Sequence, residues 1–304
     1  MAFRNTLKTI ALLGGIGGLL VLVGSALGGP GGAMIGLLLG LVIVGASYWF
    51  SDRMAVRAAG AHEVSEAEAP QLHAMVAELA TAADLPKPRV YVSPAPQPNA
   101  FATGRNPAHS AVAVTEGLLT QCPSDELRAV LAHEMAHIRN RDILIGSVAA
   151  AIATGISFVA NMALFAGMFG GGDDDEGPNP AVALLLAVLA PVAAAILQMA
   201  LSRAREFEAD RIGAQLLGDP EPLARALTRI DAIAARTPLD VTPAQASAYI
   251  VNPLTGRRVS FAKLFLTHPP IEERVARLRT MDPTSAGPDA SRRGAPAVVR
   301  EHLE

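Results

Sequence analysis

Four apolar stretches, residues 9–28, 31–50, 143–169 and 181–201, carry no charged residue. Each is near the roughly 20 residues that a helix needs to cross a bilayer. A chain that buried all four in a water-soluble core would need other compensating charged surface. Here only 17% of the 304 residues are charged and 51% are hydrophobic, against about a quarter charged in an ordinary globular chain. The stretches therefore predict four membrane spans. Arg4 and Lys8 precede the first, as in a signal peptide, but it is long for such a segment and a second span follows almost at once. Between them Gly28-Gly29-Pro30-Gly31-Gly32 breaks a helix, so spans one and two are expected to form a hairpin. Gly14, Gly18, Gly32, Gly36 and Gly40 recur at four-residue spacing, a pattern that lets helix backbones approach closely in lipid.

The charges flanking the stretches give an orientation. Arg4, Lys8, Arg53, Arg57, Arg139, Arg141, Arg203 and Arg205 fall on one side if the spans alternate, and the loop at 170–178 is acidic with no basic residue. The positive-inside rule then puts both termini, 53–142 and the region after 202 in the cytoplasm. The expected division is 1–52, a membrane hairpin; 53–142, the first part of a cytoplasmic domain; 143–202, a second hairpin; 203–280, the rest of that domain; and 281–304, a disordered tail rich in Pro, Ala, Ser and Gly. The formal net charge of -3, without a basic tract bearing aromatics, argues against nucleic-acid binding. Cys122 is the single cysteine, which excludes an intrachain disulfide and a multi-thiolate zinc site.

In the cytoplasmic parts, Leu72, Met75, Val76 and Leu79 have helical spacing within 66–84, and 89–92 and 111–114 read as short strands. A turn is expected at Glu116-Gly117. Helices are expected over 125–138, 204–217 and 270–279, the first starting behind Ser124. The fold class is thus mainly α with a small sheet, carried by a four-span membrane protein.

The chemistry concentrates in His133-Glu134-Met135-Ala136-His137. Two histidines four apart on a helix share a face and can hold one tetrahedral zinc. Glu134, rotated by about 100°, stands beside the metal, where it can take a proton from water and pass it to a leaving amine. A third ligand is expected within Arg205-Glu206-Phe207-Glu208-Ala209-Asp210. Glu206 and Asp210 share a face, so one can bind metal while the other orients a histidine. Glu208 lies about 200° from Glu206, and spacing alone does not choose between the two glutamates, nor does it exclude a merely solvated helix start.

His-Glu-Met-Ala-His, the later Ser-Arg-Ala-Arg-Glu-Phe-Glu-Ala-Asp, and Thr267-His268-Pro269-Pro270 before Arg274 follow in that order, with four spans around them. Together they resemble the HtpX-type membrane metallopeptidases, relatives of the CAAX prenyl endopeptidases, over nearly the whole chain to about residue 280. The resemblance implies a zincin (gluzincin) protease domain and one zinc per chain held by His133, His137 and Glu206. It further implies Glu134 as general base and Asp210 behind a ligand. It also implies a bacterial inner-membrane location with the active site cytoplasmic, and membrane or membrane-associated proteins, misfolded or damaged, as substrates in protein quality control. Asn99, Ala100, Phe101 and Ala102 resemble the family's segment at the cleft edge, where a substrate could add as a strand; the alternative is a proline-rich loop. His268 and Arg274 resemble residues that face the cleft and steady an oxyanion, although His268 could equally cap the next helix. His62, His73, His109 and His302 are read as solvated surface groups. The competing readings are a prenyl-peptide processing protease and a non-catalytic zinc-binding scaffold. An intact Glu134 argues against the scaffold, since a structural zinc needs no such carboxylate.

Overall fold

The computed structural model describes residues 2–144, 203–237, 249–251 and 269–281. Apolar residues 145–169 and 181–201, the acidic loop between them, His268 and the tail from 282 lie outside the described residues. What is described is mainly helical with one small mixed sheet.

Helix α1, Ala2–Ala58, contains Pro30 and a left-handed Gly29 at φ +56°. It doubles back there. A Cβ added to Gly24 would lie 2.2 Å from the Gly32 carbonyl oxygen, and one on Gly36 2.2 Å from that of Leu20. In one straight helix Leu20 and Gly36 would stand roughly 24 Å apart at 1.5 Å per residue. The two legs therefore pack backbone to backbone, through Gly24, Gly32, Gly36 and Gly40. Gly14 and Gly18 meet nothing within 4 Å, so the expected stripe on the first leg is displaced to Gly17 and Gly24. Gly29–Phe50, in the second leg, is long and apolar enough to cross a membrane, and Leu13–Leu22 is a shorter apolar helix.

The chain then alternates strands and helices: β1 His62–Glu63, α2 Pro70–Ala82, β2 Arg89–Ser93, β3 Ala100–Asn106, β4 His109–Thr115, α3 Glu116–Gln121 and α4 Ser124–Asn140. After the undescribed segment come α5 Arg203–Leu217, α6 Glu221–Ala234 and α7 Ile271–Arg279. The sheet order is β1-β2-β4-β3, with β2 and β4 parallel and the other pairs antiparallel. Strand β3 is thus an edge. Its far end bulges at Gly104, where φ is +135° and a Cβ would meet the His109 carbonyl oxygen at 2.3 Å, a place only glycine can occupy.

Period-2 alternation sorts the strands onto two cores. Val90, Val92, Val112 and Val114 join Leu72, Val76 and Leu79 of α2, Val130 and Leu131 of α4, and Leu227 and Ile230 of α6 in the main core. Tyr91, Phe101, Ala111 and Ala113 face the other way, against Val56 of α1 and Tyr249. The membrane-length helix therefore packs its end directly on the sheet.

Two local expectations change. Residues 116–121 form a helix capped by the Thr115 hydroxyl rather than a turn, because Gly117 serves close packing: a Cβ there would lie 2.2 Å from the Pro96 carbonyl oxygen. His73 is half-buried and bonds the Val64 carbonyl at 2.9 Å, whereas His62 and His109 are exposed as expected.

Candidate metal centre

Helix α4 carries His133, Glu134 and His137 and starts with Asp125 and Glu126 in its first turn, where acidic groups suit the helix dipole. Pro123 precedes it and Ser124 supplies no side-chain cap. Its end is sharper. Arg141 adopts a left-handed φ of 55°, and the Asp142 N–H turns back to the His137 carbonyl at 3.3 Å. That reversal brings the Asp142 carboxylate to 3.1 Å from His137 Nδ1.

Helix α5 crosses α4 over small residues. Ala136, Ala209 and Ile212 pack together, and a Cβ on Gly213 would stand only 3.0 Å from the His133 backbone nitrogen. This approach inserts Glu206 and Asp210 beside the histidines. His133 Nε2 and His137 Nε2 are 3.1 Å apart, and each lies 3.8 Å from a Glu206 oxygen. The three residues offer one ligand atom each, all within 4.8 Å of one another. A tetrahedral ion with bonds of about 2.0–2.1 Å would separate its ligand atoms by about 3.3 Å, close to this spacing. His133 Nδ1 is 2.9 Å from Asp210 Oδ1, so both imidazoles have a carboxylate on the nitrogen turned away from Glu206, the arrangement that orients histidine ligands. Glu208 points outward and binds Arg211 through two contacts of 2.6 and 2.9 Å.

Arg274, on α7, is fully buried. It binds Asp210 in a fork, Nε to Oδ2 at 2.8 Å and Nη2 to Oδ1 at 2.7 Å, and donates from Nη1 to the Ile250 carbonyl at 2.8 Å. Its guanidinium lies 3.8 Å from Glu206. This places it behind Asp210, with its fork spent on a carboxylate rather than held open toward a cleft.

Burial alone would push Asp210 up, but Arg274 outweighs it and holds the group at about 2. Burial lowers His133, despite Asp210, favouring the neutral imidazole that a metal needs. Glu134 is pushed up to about 7 by burial, with His137, the Ala102 backbone and Arg274 pulling it down and Glu206 pushing it further up. Burial also opposes a proton on His137, yet Asp142, Glu206 and Glu134 together raise it to about 10. The rise at His137 reflects a local surplus of negative charge. Glu134, Glu206, Asp210 and Asp142 are buried, and among the described residues only Arg274 and Arg205 are buried guanidiniums beside them. With Glu134 ionised and both imidazoles neutral, as metal ligands must be, four carboxylates against two guanidiniums leave a formal deficit that one divalent cation balances, and uncompensated buried charge is strongly unfavourable. The residues fit a dication.

The cleft edge is β3. Asn99 and Ala100 are fully buried and Phe101 nearly so, stacked edge-to-face on Tyr249. The Asn99 amide donates to the Val251 carbonyl at 2.9 Å, and the Ala100 carbonyl accepts from Ile250 N–H at 3.1 Å. The chain's own segment 249–251 therefore occupies the outer edge at Asn99 and Ala100. Ala102, two residues on and so facing the same way, has its backbone against Glu134.

Sequence reasoning missed Asp142, whose signal was an acid five positions past His137 beyond the helix end. It also missed Gly213, which shares a helical face with Glu206 and Asp210.

The sequence model of Peptidase family M48 matches residues 66–282. The protein called Protease HtpX homolog in Pelotomaculum thermopropionicum is 51% identical over 280 residues, covering 91% of this chain and 99% of that one. The protein of the same name in Desulfatibacillum aliphaticivorans is 47% identical over 286 residues, covering 93% and 92%. Among solved structures, the crystal structure of S. mikatae Ste24p shares the fold, with a TM-score of 0.50 at 19% identity over 91% of this chain and 66% of that one.

Proposed function

Because the chain belongs to peptidase family M48, a protease family, we propose that His133, His137 and Glu206 hold one zinc ion and that Glu134 serves as general base in hydrolysis of peptide bonds. The observation that carries this is the buried charge surplus around two converging Nε2 atoms and a glutamate. Bound there, zinc supplies a Lewis acid that polarises the scissile carbonyl and eases deprotonation of water. Glu134, held near neutrality by burial, accepts a proton from the attacking water and delivers it to the departing amine. Asp142 and Asp210 fix the ring orientation of His137 and His133, and Arg274 fixes Asp210. An extended substrate would reach this site along the β3 edge from Ala102 onward, since Asn99 and Ala100 are engaged by 249–251. Asn99, Ala100 and Phe101 would then shape that edge from behind. His268 remains a candidate to steady the oxyanion.

The same proposal gives the chain four spans with the 1–52, 53–142, 143–202, 203–280 and 281–304 division, in a bacterial cytoplasmic membrane, with termini and site cytoplasmic. Helix α4 precedes the third apolar stretch and α5 follows the fourth. The site would then be assembled at the bilayer surface, which suits membrane proteins, including damaged ones, as substrates.

Glu134→Gln tests the mechanism. The variant is expected to keep its zinc and lose casein hydrolysis by a factor of about 10³ or more, in the upper part of the usual range for removing an acid–base group, since the same group both activates water and protonates the amine. Equal rates for variant and wild type would sink the mechanism. Cleavage confined to a farnesylated peptide, with casein untouched, would favour prenyl-peptide processing instead.

A further inference from the structure

A cavity of about 520 Å³ lies between the end of α1 and one end of the sheet. None of its lining residues belongs to the metal centre. Trp49 and Phe50 come from the last turn of the membrane-length segment Gly29–Phe50 and are about half exposed. Arg53 follows them, Lys87 lies just before β2 and Arg89 at its start, and Arg105 comes from the end of β3. Asp52 is the single carboxylate in this wall, and it is already bound by Arg89. Lys87 is paired with Glu66 at 2.6 Å.

The other two cations are placed differently. Arg105 lies over the Trp49 ring at 4.8 Å and Arg53 over the Phe50 ring at 5.8 Å. Neither has a carboxylate partner among the described residues. The wall therefore presents two uncompensated guanidiniums and two exposed aromatic rings, at the point where an apolar helix of bilayer length stops. Guanidinium forks match phosphate oxygens bidentately, and tryptophan beside basic residues is the composition found at the headgroup level of a membrane. A soluble anion would use the guanidiniums but leave the rings in water.

We propose that this cavity binds the phosphodiester headgroup of an acidic phospholipid, with Arg53 and Arg105 on the phosphate and Trp49 and Phe50 against the upper acyl chain. The occupied site ties the end of the membrane helix to the sheet. Asp52, Arg89, Tyr91 and Glu63 already form one chain of contacts from α1 through β2 to β1. This inference depends on the membrane span and is independent of peptidase chemistry.

Trp49 is the chain's one tryptophan, so its emission reports on the cavity directly. The full-length protein in neutral detergent is titrated with phosphatidylglycerol, with phosphatidylcholine of the same acyl chains, and with inorganic phosphate. The expected result is a saturable Trp49 change whose midpoint for phosphatidylglycerol is at least about tenfold below that for phosphatidylcholine, whose phosphodiester is accompanied by a quaternary ammonium that the two guanidiniums repel. It should weaken between about 50 mM and about 500 mM salt, because partly exposed charges are screened. Arg53→Gln with Arg105→Gln should remove the preference, and Arg53→Lys with Arg105→Lys should keep most of it. Equal midpoints for the two lipids overturn the proposal, as does a preference unaffected by salt or by the glutamine changes. Saturation by inorganic phosphate at the same concentrations overturns the lipid as ligand. If the glutamine variant does not fold, the lipid comparison and the salt dependence on the wild type still decide.

Discussion

At the residue scale, the cluster around His133 is organised by pairs of groups that would each be unstable alone. Arg274 without Asp210 is a buried cation, and Asp210 without Arg274 is a buried anion against a neutral imidazole. Breaking such a pair on one side is far more damaging than never having built it. Asp142 is the simpler case, since its contact is with one ligand ring, 3.1 Å from His137 Nδ1. Asp142→Asn should therefore leave the fold intact and weaken zinc binding about 10- to 100-fold, the usual effect of losing an orienting carboxylate. Competition with a chromogenic chelator measures this, and an unchanged affinity would remove Asp142 from the site. The HExxH pair was legible from spacing because α4 is regular. Glu206 against Glu208 was not, since both lie on the same turn of α5 and only the docking of α5 on α4 decides which one faces inward. Asp142 was illegible for a related reason: its reach depends on the left-handed turn at Arg141, which no helical periodicity encodes.

At the element scale, what matters is how closely α4 and α5 approach. Gly213 leaves no room for a Cβ without displacing the His133 backbone by some tenths of an ångström. Gly213→Ala should lower stability by about 1–3 kcal/mol, the range for overpacking a tight core, and should weaken zinc binding as well because Glu206 moves with α5. Thermal unfolding with and without added zinc checks both parts. A variant as stable as wild type would show that the crossing is looser than described. Elements with strong periodicity, such as α2 and α4, could be read directly. Helix α6 was missed because Pro220 and Pro222 look like breakers, whereas Pro222 sits within its first turn, where the missing N–H is harmless. Strand β3 was read only as an extended edge, as Ala-Phe-Ala-Thr-Gly lacks strand periodicity and owes its form to pairing with β4.

At the scale of the molecule, the metal cluster draws its ligands from both sides of a long apolar insertion, α4 before it and α5 after it. Of the four apolar stretches legible as composition, the second coincides with the membrane-length segment Gly29–Phe50, and the doubling back of α1 at Gly29 agrees with the glycine and proline run at that point. If the insertion crosses the bilayer twice, a cysteine placed in the acidic loop at residue 174 should react with an impermeant maleimide in intact cells, and one placed at residue 232, exposed on α6, should not. Labelling of both positions, or the reverse pattern, would refute the cytoplasmic orientation. That orientation would also bear on substrate choice, because a site held at the bilayer surface would meet membrane-bound chains first.

All these levels converge on one claim, that His133, His137 and Glu206 form a zinc site. Elemental analysis of the purified full-length protein tests it most directly. One zinc per chain is expected in the wild type, and close to none in His133→Ala. Wild-type protein with no zinc after preparation in its presence, or a His133→Ala variant that retains the full complement, would contradict the account.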